Sequence, residues 1–189
     1  MRVLRCMNKM LSEKDKRFFL QLAREAITKN SGVAFDNPIP PIAEERHGVF
    51  VTIHVNGQLR GCIGSLLPND TVHKSIIHNA INAAYHDYRF PSLSKPELDK
   101  INIEISILSD PVLLNCIDSN QLLKKLNHDE GVILRQGRRM AIFLPQVWEK
   151  IPDKEDFLMQ LCYKAGLNPF AWKESNIEVY AYKVEKFEG

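Results

Sequence analysis

An Asn-Gly pair between two runs of β-prone residues is the feature that most constrains how this chain folds. Asn56 and Gly57 separate the segment GVFVTIHV from the segment QLRGCIG. A two-residue type I′ turn requires positive φ at both central positions, and Asn-Gly meets that requirement better than most pairs. The sequence therefore predicts an antiparallel β-hairpin over residues 48–64.

The turn also predicts which residues lie opposite one another in the hairpin. With a regular two-residue turn, Cys62 faces Val51 and Arg60 faces Ile53. Directly opposed residues share a face of the sheet, so Arg60 and Cys62 are expected to project together. A bulge at Gly61 would shift this register by one residue, because glycine inside a strand often marks a bulge.

Hydrophobic periodicity predicts the remaining elements, in an order that occurs twice. Helices are predicted at 12–30, 71–86, 119–126 and 154–165, and further strands at 101–109, 131–136, 139–144 and 176–187. Both halves of the chain thus read helix, hairpin, helix, strand, which suggests an internal duplication. The fold class is α+β, with two intertwined sub-lobes of β-hairpins in antiparallel or mixed sheets and helices packed on them.

Composition and charge exclude several classes of protein. The fraction of hydrophobic residues, 44%, is that of an ordinary soluble globular protein, and the net charge of +2 is too small to imply a polyanion partner by itself. No apolar run approaches the ~20 residues of a transmembrane helix, and the N-terminus lacks the apolar segment of a secretory signal. We expect a cytoplasmic protein without membrane contact. Residues 1–11 are expected to be a poorly ordered extension, with Met1, Met7 or Met10 as the start.

The four cysteines contain no CxxC pair, which argues against a zinc knuckle and against a dense disulfide scaffold. Cys162 continues an apolar helical stripe and is expected in a core. Cys6 and Cys116 have no recognisable setting. Cys62, inside LRGCIG, has two interpretations. It is either a small side chain where two backbones pass closely, or a thiol that Arg60 activates as a thiolate.

Five segments together resemble one protein family. They are GVFVTI…LRGCIGSL (48–66), AAYHDYRF (83–90), IEISILS (103–109), GVILRQGRRMAIFLPQV (131–147) and FLMQLCYKAGL (157–167). Their sequences and their order resemble the AMMECR-domain family, which includes protein A of the AmmeMemoRadiSam system. The resemblance implies a single AMMECR domain over 12–187, made of a larger and a smaller sub-lobe, with the LRGCIG strand lining a cleft between them. Tyr88 departs from the family pattern, since relatives tend to have proline there.

The resemblance implies partners and a substrate class, although the family has no established activity. Prokaryotic relatives often occur beside a radical-SAM protein and a dioxygenase-like MEMO protein, and a role in nucleotide or RNA modification has been suggested. Radical-SAM and MEMO-type proteins are therefore the implied partners. A small molecule, a nucleotide or RNA is the implied ligand, and no cofactor is indicated.

The candidate site is centred on LRGCIG. Cys62 is the candidate nucleophile or redox group, and the candidate ligand-binding residues are Arg60, Gly61, Gly64, Asp87, Arg89 and Glu104. Asp87 and Arg89 follow a predicted helix, where an exposed loop ion pair is the alternative interpretation. Glu104 lies on the strand face opposite four isoleucines. It is either a solvated carboxylate or an acid that pairs with Arg60 or Arg89.

Histidines and a second group of arginines are weaker candidates. His54 is expected on the sheet face opposite Cys62, which disfavours a Cys–His dyad, and histidine spacing predicts no metal site. Arg135, Arg138 and Arg139 surround the turn of the second hairpin, either as a solvated tip or as a phosphate or RNA contact. The chain has no P-loop, dinucleotide-binding glycine pattern, nucleophile elbow or zinc-hydrolase helix.

Two functional hypotheses follow from the sequence. In the first, the protein binds or modifies a small-molecule or nucleotide-derived substrate in a cleft around Cys62. In the second, it is a non-catalytic adaptor or peptide-binding module whose cysteine is structural. The reactivity of the Cys62 thiol distinguishes them, because only a partly exposed, electropositive setting makes a thiol reactive.

Overall fold

The computed structural model describes residues 11–31, 33 and 39–189 of the chain. The chain divides into two compact units, the first comprising residues up to Ser109 together with Glu185–Gly189, and the second comprising Asp110–Val184. Each unit has its own antiparallel sheet and its own helices, which confirms the predicted α+β class. The expected extension over 1–11 lies outside the described residues except for Leu11, which is buried.

The described chain contains four α-helices and eight strands in the following order. The helices are α1 (Glu13–Lys29), α2 (Val72–Tyr85), α3 (Ser119–Lys125) and α4 (Lys154–Lys164). The strands are β1 (Val49–Val55), β2 (Gln58–Ser65), β3 (Ile101–Leu108), β4 (Val112–Leu113), β5 (Gly131–Gln136), β6 (Arg139–Phe143), β7 (Glu178–Tyr182) and β8 (Val184–Glu188). Short 3₁₀ turns lie at Pro41–Glu44, Lys95–Lys100, Pro145–Glu149 and Ala171–Lys173.

Local signals account for the bounds of α1. The Ser12 side chain accepts the backbone N–H of Asp15, and the Asp15 carboxylate accepts the N–H of Ser12, so two otherwise unpaired donors are satisfied. At the other end Asn30 adopts the left-handed conformation with φ 48°, which ends the helix. The buried face consists of Phe19, Leu22, Ala23, Ala26 and Ile27. The predicted helix over 12–30 is thus confirmed.

The first unit packs its helices on one face of a sheet with the strand order β2-β1-β3-β8. The predicted turn is present, with φ values of 52° at Asn56 and 78° at Gly57. β1 pairs antiparallel with both β2 and β3. The core side chains of the sheet are inaccessible to solvent and pack with α1 and α2 in one apolar cluster; they include Val51, Ile53, Ile103, Ile105 and Ile107.

The register of the first hairpin differs from the regular one that the turn predicts. Thr52 pairs with Cys62 and Ile53 pairs with Gly61, and the ladder shifts immediately beyond Ile53. Arg60 is therefore the extra residue of a β-bulge. The prediction that Arg60 and Cys62 project together from the face of the sheet that carries Ile53 is wrong. Cys62 projects from the other face, which is turned away from the core.

Close packing of α2 on the hairpin gives the physical reason for this shift. A Cβ atom added to Gly61 would lie only 1.9 Å from the carbonyl oxygen of Ala83 in α2. The position facing α2 therefore has to be a glycine, and Gly61 takes it. Because side chains alternate along a strand, Cys62 must then point to the other side.

The second unit forms its own core under a sheet with the strand order β4-β7-β5-β6. Asp153 caps α4 by accepting the N–H groups of Glu155 and Asp156. The Trp148 and Phe157 rings stack with centroids 3.5 Å apart inside the core. Cys162 of α4 is fully buried in the same cluster, as predicted, and burial raises the pKa of its thiol.

The predicted last strand over 176–187 is in fact two strands in different sheets. β7 joins the second sheet, whereas β8 pairs with β3 in the first, where Gly189 and Ile103 exchange backbone hydrogen bonds of 3.0 and 3.1 Å. The buried positions Ala181 in β7 and Phe187 in β8 are separated by the polar residues Lys183 and Glu185, so the alternation lapses at the break, and the single predicted strand ran across this polar stretch. This part of the prediction is wrong.

The order helix, hairpin, helix, strand is present in both units. In each, a third strand adds to the first strand of the hairpin, β3 on β1 and β7 on β5. Common ancestry of the two halves stays a prediction.

Candidate functional site

A row of four polar side chains crosses the face of the first sheet that is turned away from its core. Cys62 of β2 and Glu104 of β3 both pair with Thr52 of β1, and Lys186 of β8 contacts Glu104. The Thr52 hydroxyl donates to the Cys62 Sγ at 3.3 Å, and the Lys186 ammonium lies 2.6 Å from the Glu104 carboxylate. We call these four residues the Cys62 row. The bulge creates it, because a regular register would place the thiol on the core face.

His54 lies on the same face as the Cys62 row, contrary to expectation. It pairs with Leu59 of β2 and with Asn102 of β3, two positions along β1 from Thr52. Successive side chains on one face of a strand are about 7 Å apart, so His54 is a neighbour of the row and not a hydrogen-bonding partner of the thiol. The bulge that moves Cys62 across the sheet also accounts for this correction.

Asp87 and Arg89 hold the backbone of Cys62 from outside the sheet. The Asp87 carboxylate accepts the Cys62 N–H at 2.9 Å, and the Arg89 guanidinium donates to the Cys62 carbonyl oxygen at 2.9 Å. The same guanidinium donates to the Asp87 carboxylate at 2.9 and 2.6 Å. Since β2 is an edge strand, the pair takes the place of a neighbouring strand at this residue. We call Asp87 and Arg89 the backbone clasp.

The clasp is an ion pair that is charged at neutral pH and has one buried member. The Asp87 side chain is only 1% exposed, whereas that of Arg89 is 46% exposed. Hydrogen bonds from the Arg89 side chain, and then from the backbone N–H groups of Cys62 and Arg89, hold the pKa of the Asp87 carboxyl far below its usual range. Asp87 is thus not the exposed loop carboxylate of the alternative interpretation. Its oxygens are committed to Cys62 and Arg89, which makes it a positioning residue.

Arg60 is bound to a different part of the unit from Cys62. Its guanidinium donates to Glu97 at 2.9 and 3.3 Å and to backbone carbonyl oxygens in the 91–92 segment. Hydrogen bonds from the Ser94 hydroxyl and then from Arg60 lower the pKa of Glu97 to about 2. Arg60 therefore ties the bulge to the 3₁₀ turn at 95–100. The predicted activation of Cys62 by Arg60 on a shared sheet face has no basis in this geometry.

The two glycines of LRGCIG both serve close packing. Gly61 lies against the backbone of α2, as described above. A Cβ added to Gly64 would lie 2.3 Å from a ring carbon of Phe50, the residue that it pairs with across the hairpin. Packing thus accounts for both glycines without a ligand, and their ligand-binding role stays a prediction.

Glu104 pairs with neither of the expected arginines. Arg60 and Arg89 have the partners described above, and Glu104 binds Lys186 instead. Sequence reasoning did not identify Thr52 or Lys186 as members of the site. Placing the bulge at Arg60 would have paired Thr52 with Cys62. Lys186 could be assigned only by recognising that β7 and β8 are separate strands in different sheets.

Two of the three arginines of the second hairpin, Arg135 and Arg139, have partners within their own unit. Arg135 binds Glu178 at 2.6 Å and lies over the Tyr180 ring, and Arg139 donates to the Gly166 carbonyl oxygen at 2.7 Å. This favours the solvated-tip interpretation over a phosphate contact.

The part of the chain that the structure describes contains neither a metal-binding cluster nor a membrane-crossing helix. No group of three or more His, Cys, Asp or Glu side chains in residues 11–31, 33 and 39–189 could hold a metal ion. In the same part of the chain, no helix has the length and hydropathy required to cross a bilayer.

Comparison with known proteins identifies the family. The family model AMMECR1 matches residues 20–187. The chain belongs to the AMMECR1 family. Among its relatives are a protein of Methanosarcina acetivorans, 38% identical over 186 residues that cover 94% of this chain and 93% of that protein, and one of Thermococcus onnurineus, 37% identical, with 90% and 88% covered.

A solved member of the AMMECR1 family has the same fold. The crystal structure of the uncharacterised protein PH0010 from Pyrococcus horikoshii superimposes with a TM-score of 0.76 at 32% sequence identity. The match covers 94% of this chain and 93% of that chain. PH0010 is itself an uncharacterised protein, so this similarity extends to the family and the fold.

Proposed function

We propose that the Cys62 row is the substrate-binding face of a protein that binds or modifies a small-molecule or nucleotide-derived substrate, with Cys62 as its reacting thiol. One observation carries the proposal: the chain holds the backbone of Cys62 on both its N–H and its C=O while leaving the thiol half-buried beside a hydroxyl donor. The radical-SAM and MEMO-type partners implied by the family resemblance belong to the same proposal.

The chemistry of the row supports a reacting thiol. The thiolate is the nucleophilic form of cysteine, and the Thr52 hydroxyl is placed to donate a hydrogen bond to its sulfur. Because the clasp fixes the Cys62 backbone, the sulfur has little freedom beyond rotation about χ1. Such fixed placement lowers the entropic cost of reaching a reactive geometry.

The far end of the row supports a substrate of metabolite size. Glu104 lies two strands from Cys62, and neighbouring strands are about 4.8 Å apart, so its carboxylate and the Lys186 ammonium are about 10 Å from the thiol. A molecule of the size of a nucleoside spans that distance. It could place a reacting atom at Cys62 while polar groups bind Glu104 and Lys186.

A second candidate function, a protein-docking adaptor, is favoured by Tyr88. This residue lies between the two members of the clasp and is 95% exposed. Tyrosine is enriched at protein interfaces because it offers a large, rigid contact surface together with a hydroxyl group. In this version the clasp supports a docking tip, and the thiol of Cys62 has only a packing role.

Competitive alkylation of the native protein tests the first proposal against the second. The protein is treated with limiting iodoacetamide, and labelling of Cys62, Cys116 and Cys162 is followed by peptide mass spectrometry. We expect Cys62 to be labelled at least tenfold faster than the buried Cys162 and faster than Cys116. A panel of the four ribonucleoside monophosphates and short RNA is then tested for protection of Cys62. The Cys116→Ser variant is the matched control and leaves Cys62 labelling unchanged.

Two results together would contradict the reacting-thiol proposal. The first is labelling of Cys62 in the native protein that is no faster than labelling of Cys162, and the second is a large loss of stability in Cys62→Ala. They would instead indicate a structural cysteine and favour the adaptor. Lack of protection by the panel, with fast labelling retained, would exclude those ligands and retain the thiol chemistry.

A further inference from the structure

A second row of residues lies beside the Cys62 row on the same face of the first sheet. Phe50 of β1 pairs with Gly64 of β2 and with Ser106 of β3. Phe50 and Thr52 are two residues apart along β1, so the two rows are about 7 Å apart and project to the same side. We call Gly64, Phe50 and Ser106 the Phe50 row.

The ring of Phe50 leans across the hairpin and covers Gly64. A Cβ atom added to Gly64 would lie 2.3 and 2.4 Å from two neighbouring ring carbons of Phe50, so the ring occupies the space of the missing side chain. Aromatic rings that cover a glycine of an edge strand stabilise such strands. The ring therefore has a fixed place on β2, two residues along the strand from Cys62.

Core packing does not account for a phenylalanine at this position. Phe50 lies on the face that is turned away from the core, and the residue is only partly buried. Within the described part of the chain, it is not one of the side chains that pack against either apolar core. Its neighbours on this face, Thr52, Ser106 and Glu104, are polar. A flat apolar ring among polar groups suits a ligand that has a flat apolar face and polar edges.

The charges beside the ring favour a ligand without a net charge. The Lys186 ammonium lies 2.6 Å from the Glu104 carboxylate, so the two charges offset each other. The Ser106 hydroxyl can donate and accept hydrogen bonds, and the Glu104 carboxylate accepts them from hydroxyl groups. These groups suit the hydroxyls of a sugar better than they suit a phosphate.

We propose that the exposed side of the Phe50 ring stacks on the base of a nucleoside, whose ribose hydroxyls bind Ser106 and Glu104. This inference rests on the proposal that the Cys62 row is a substrate-binding face, and it specifies the class of substrate. Stacking on an aromatic side chain accepts any base, because every base has a π-face. A purine has a larger face than a pyrimidine and binds more tightly. A 5′-phosphate adds no affinity, because Lys186 is already paired with Glu104.

Isothermal titration calorimetry of the full chain with adenosine, cytidine, adenosine 5′-monophosphate and ribose tests the Phe50 row. We expect saturable binding of adenosine, weaker binding of cytidine, no gain from the phosphate and no measurable binding of ribose. Phe50→Leu keeps an apolar side chain but removes the ring, and it should weaken adenosine binding about tenfold, as expected for the loss of one stacked base. Phe50→Tyr retains the ring and should keep the affinity within about twofold.

A matched variant and a measurement on the wild type separate stacking from folding. Phe170→Leu makes the same substitution at an exposed phenylalanine of the second unit and should leave the adenosine affinity unchanged. In wild-type protein with ¹³C-labelled phenylalanine, adenosine should shift the NMR signals of the Phe50 ring and leave those of the Phe170 ring in place. This measurement does not require Phe50→Leu to fold.

Three results would each overturn the nucleoside proposal. They are an absence of saturable adenosine binding, binding of ribose as tight as that of adenosine, and Phe50 ring signals that adenosine does not shift. Cys62→Ser should keep the adenosine affinity within about twofold, because stacking does not involve the thiol. Fast labelling of Cys62 without adenosine binding would overturn the nucleoside proposal alone. Adenosine binding that depends on Phe50, in a protein whose Cys62 is unreactive, would overturn the thiol chemistry alone.

Discussion

Replacing Asp87 by alanine removes the buried member of the backbone clasp and should destabilise the first unit. The substitution deletes the 2.9 Å hydrogen bond from the Cys62 N–H to a charged acceptor, which is worth about 1.5–3 kcal/mol. Arg89 also loses its partner, but its side chain is half exposed and can be solvated, so this adds little. We expect a loss of about 2–3 kcal/mol, or about 5–10 °C in Tm.

Circular dichroism and fluorescence together place this effect in the correct unit. Both tryptophans, Trp148 and Trp172, lie in the second unit, so their emission reports on that unit. Far-UV circular dichroism reports on the helices of both. Urea titrations of the wild type and of Asp87→Ala should show a shifted dichroism transition. Hydrogen exchange measured by mass spectrometry should show faster exchange in peptides that cover β2.

The pH dependence of the same interaction gives a second test. The pKa of Asp87 is depressed in the folded state, so its charge contributes stability above the unfolded-state value of about 3.9 and loses that contribution as the pH falls below it. Asp87→Asn retains an acceptor for the Cys62 N–H but no charge. The difference in unfolding free energy between wild type and Asp87→Asn should therefore shrink from pH 6 to pH 3.

Two results would refute the reasoning about the clasp. The first is an Asp87→Ala protein whose unfolding free energy lies within about 0.5 kcal/mol of the wild type, the ordinary range of surface substitutions. The second is an unchanged exchange rate in β2 peptides. Arg89→Lys serves as a matched variant, because it keeps the charge but loses the paired contacts to Asp87 and to the Cys62 carbonyl oxygen.

Three further substitutions test other parts of the site. Gly61→Ala should cost about 3 kcal/mol in chemical denaturation, since the added Cβ would lie 1.9 Å from a carbonyl oxygen of α2; a near-neutral result would contradict the packing argument. Thr52→Val should slow iodoacetamide labelling of Cys62 several-fold with little change in Tm. Equal labelling rates in Thr52→Val and the wild type would show that the Thr52 hydroxyl does not affect the reactivity of the thiol. Glu97→Gln should lose less stability than the wild type as the pH falls from 5 to 2, because the folded-state pKa of Glu97 is lowered to about 2; parallel acid curves would count against the ion pair with Arg60.

Elements with local sequence signals could be predicted from the sequence. Asn56-Gly57 determines the hairpin turn by itself, and Ser12 caps α1 through contacts only three residues away. The bulge could be anticipated but not assigned. Glycine at position 61 indicates that a bulge is possible there. Which residue becomes the extra one is determined by the contact with Ala83 of α2, and that contact is not visible in the local sequence.

Site residues could be named from the sequence more readily than their partners. Cys62, Asp87 and Arg89 do come together, as the LRGCIG hexapeptide and the family resemblance implied. The partner of Glu104 could not be found, because Lys186 reaches it only through β8, and a single strand predicted over 176–187 does not include the change of sheet between β7 and β8. Ion-pair partners at large sequence separation carry no periodic signal, so only the folded chain reveals them.

The charged groups around LRGCIG divide into those that hold the backbone and those that face the thiol. Asp87 and Arg89 are hydrogen-bonded to the backbone of Cys62, and Arg60 is hydrogen-bonded to Glu97 and nearby carbonyl oxygens. Any effect of substitutions at these positions on thiol reactivity must therefore pass through the placement of β2, and it should be accompanied by lower stability. Thr52 touches the sulfur itself. If the thiol reacts, substitutions in the Cys62 row will change labelling without changing the unfolding midpoint, whereas clasp substitutions will change both together.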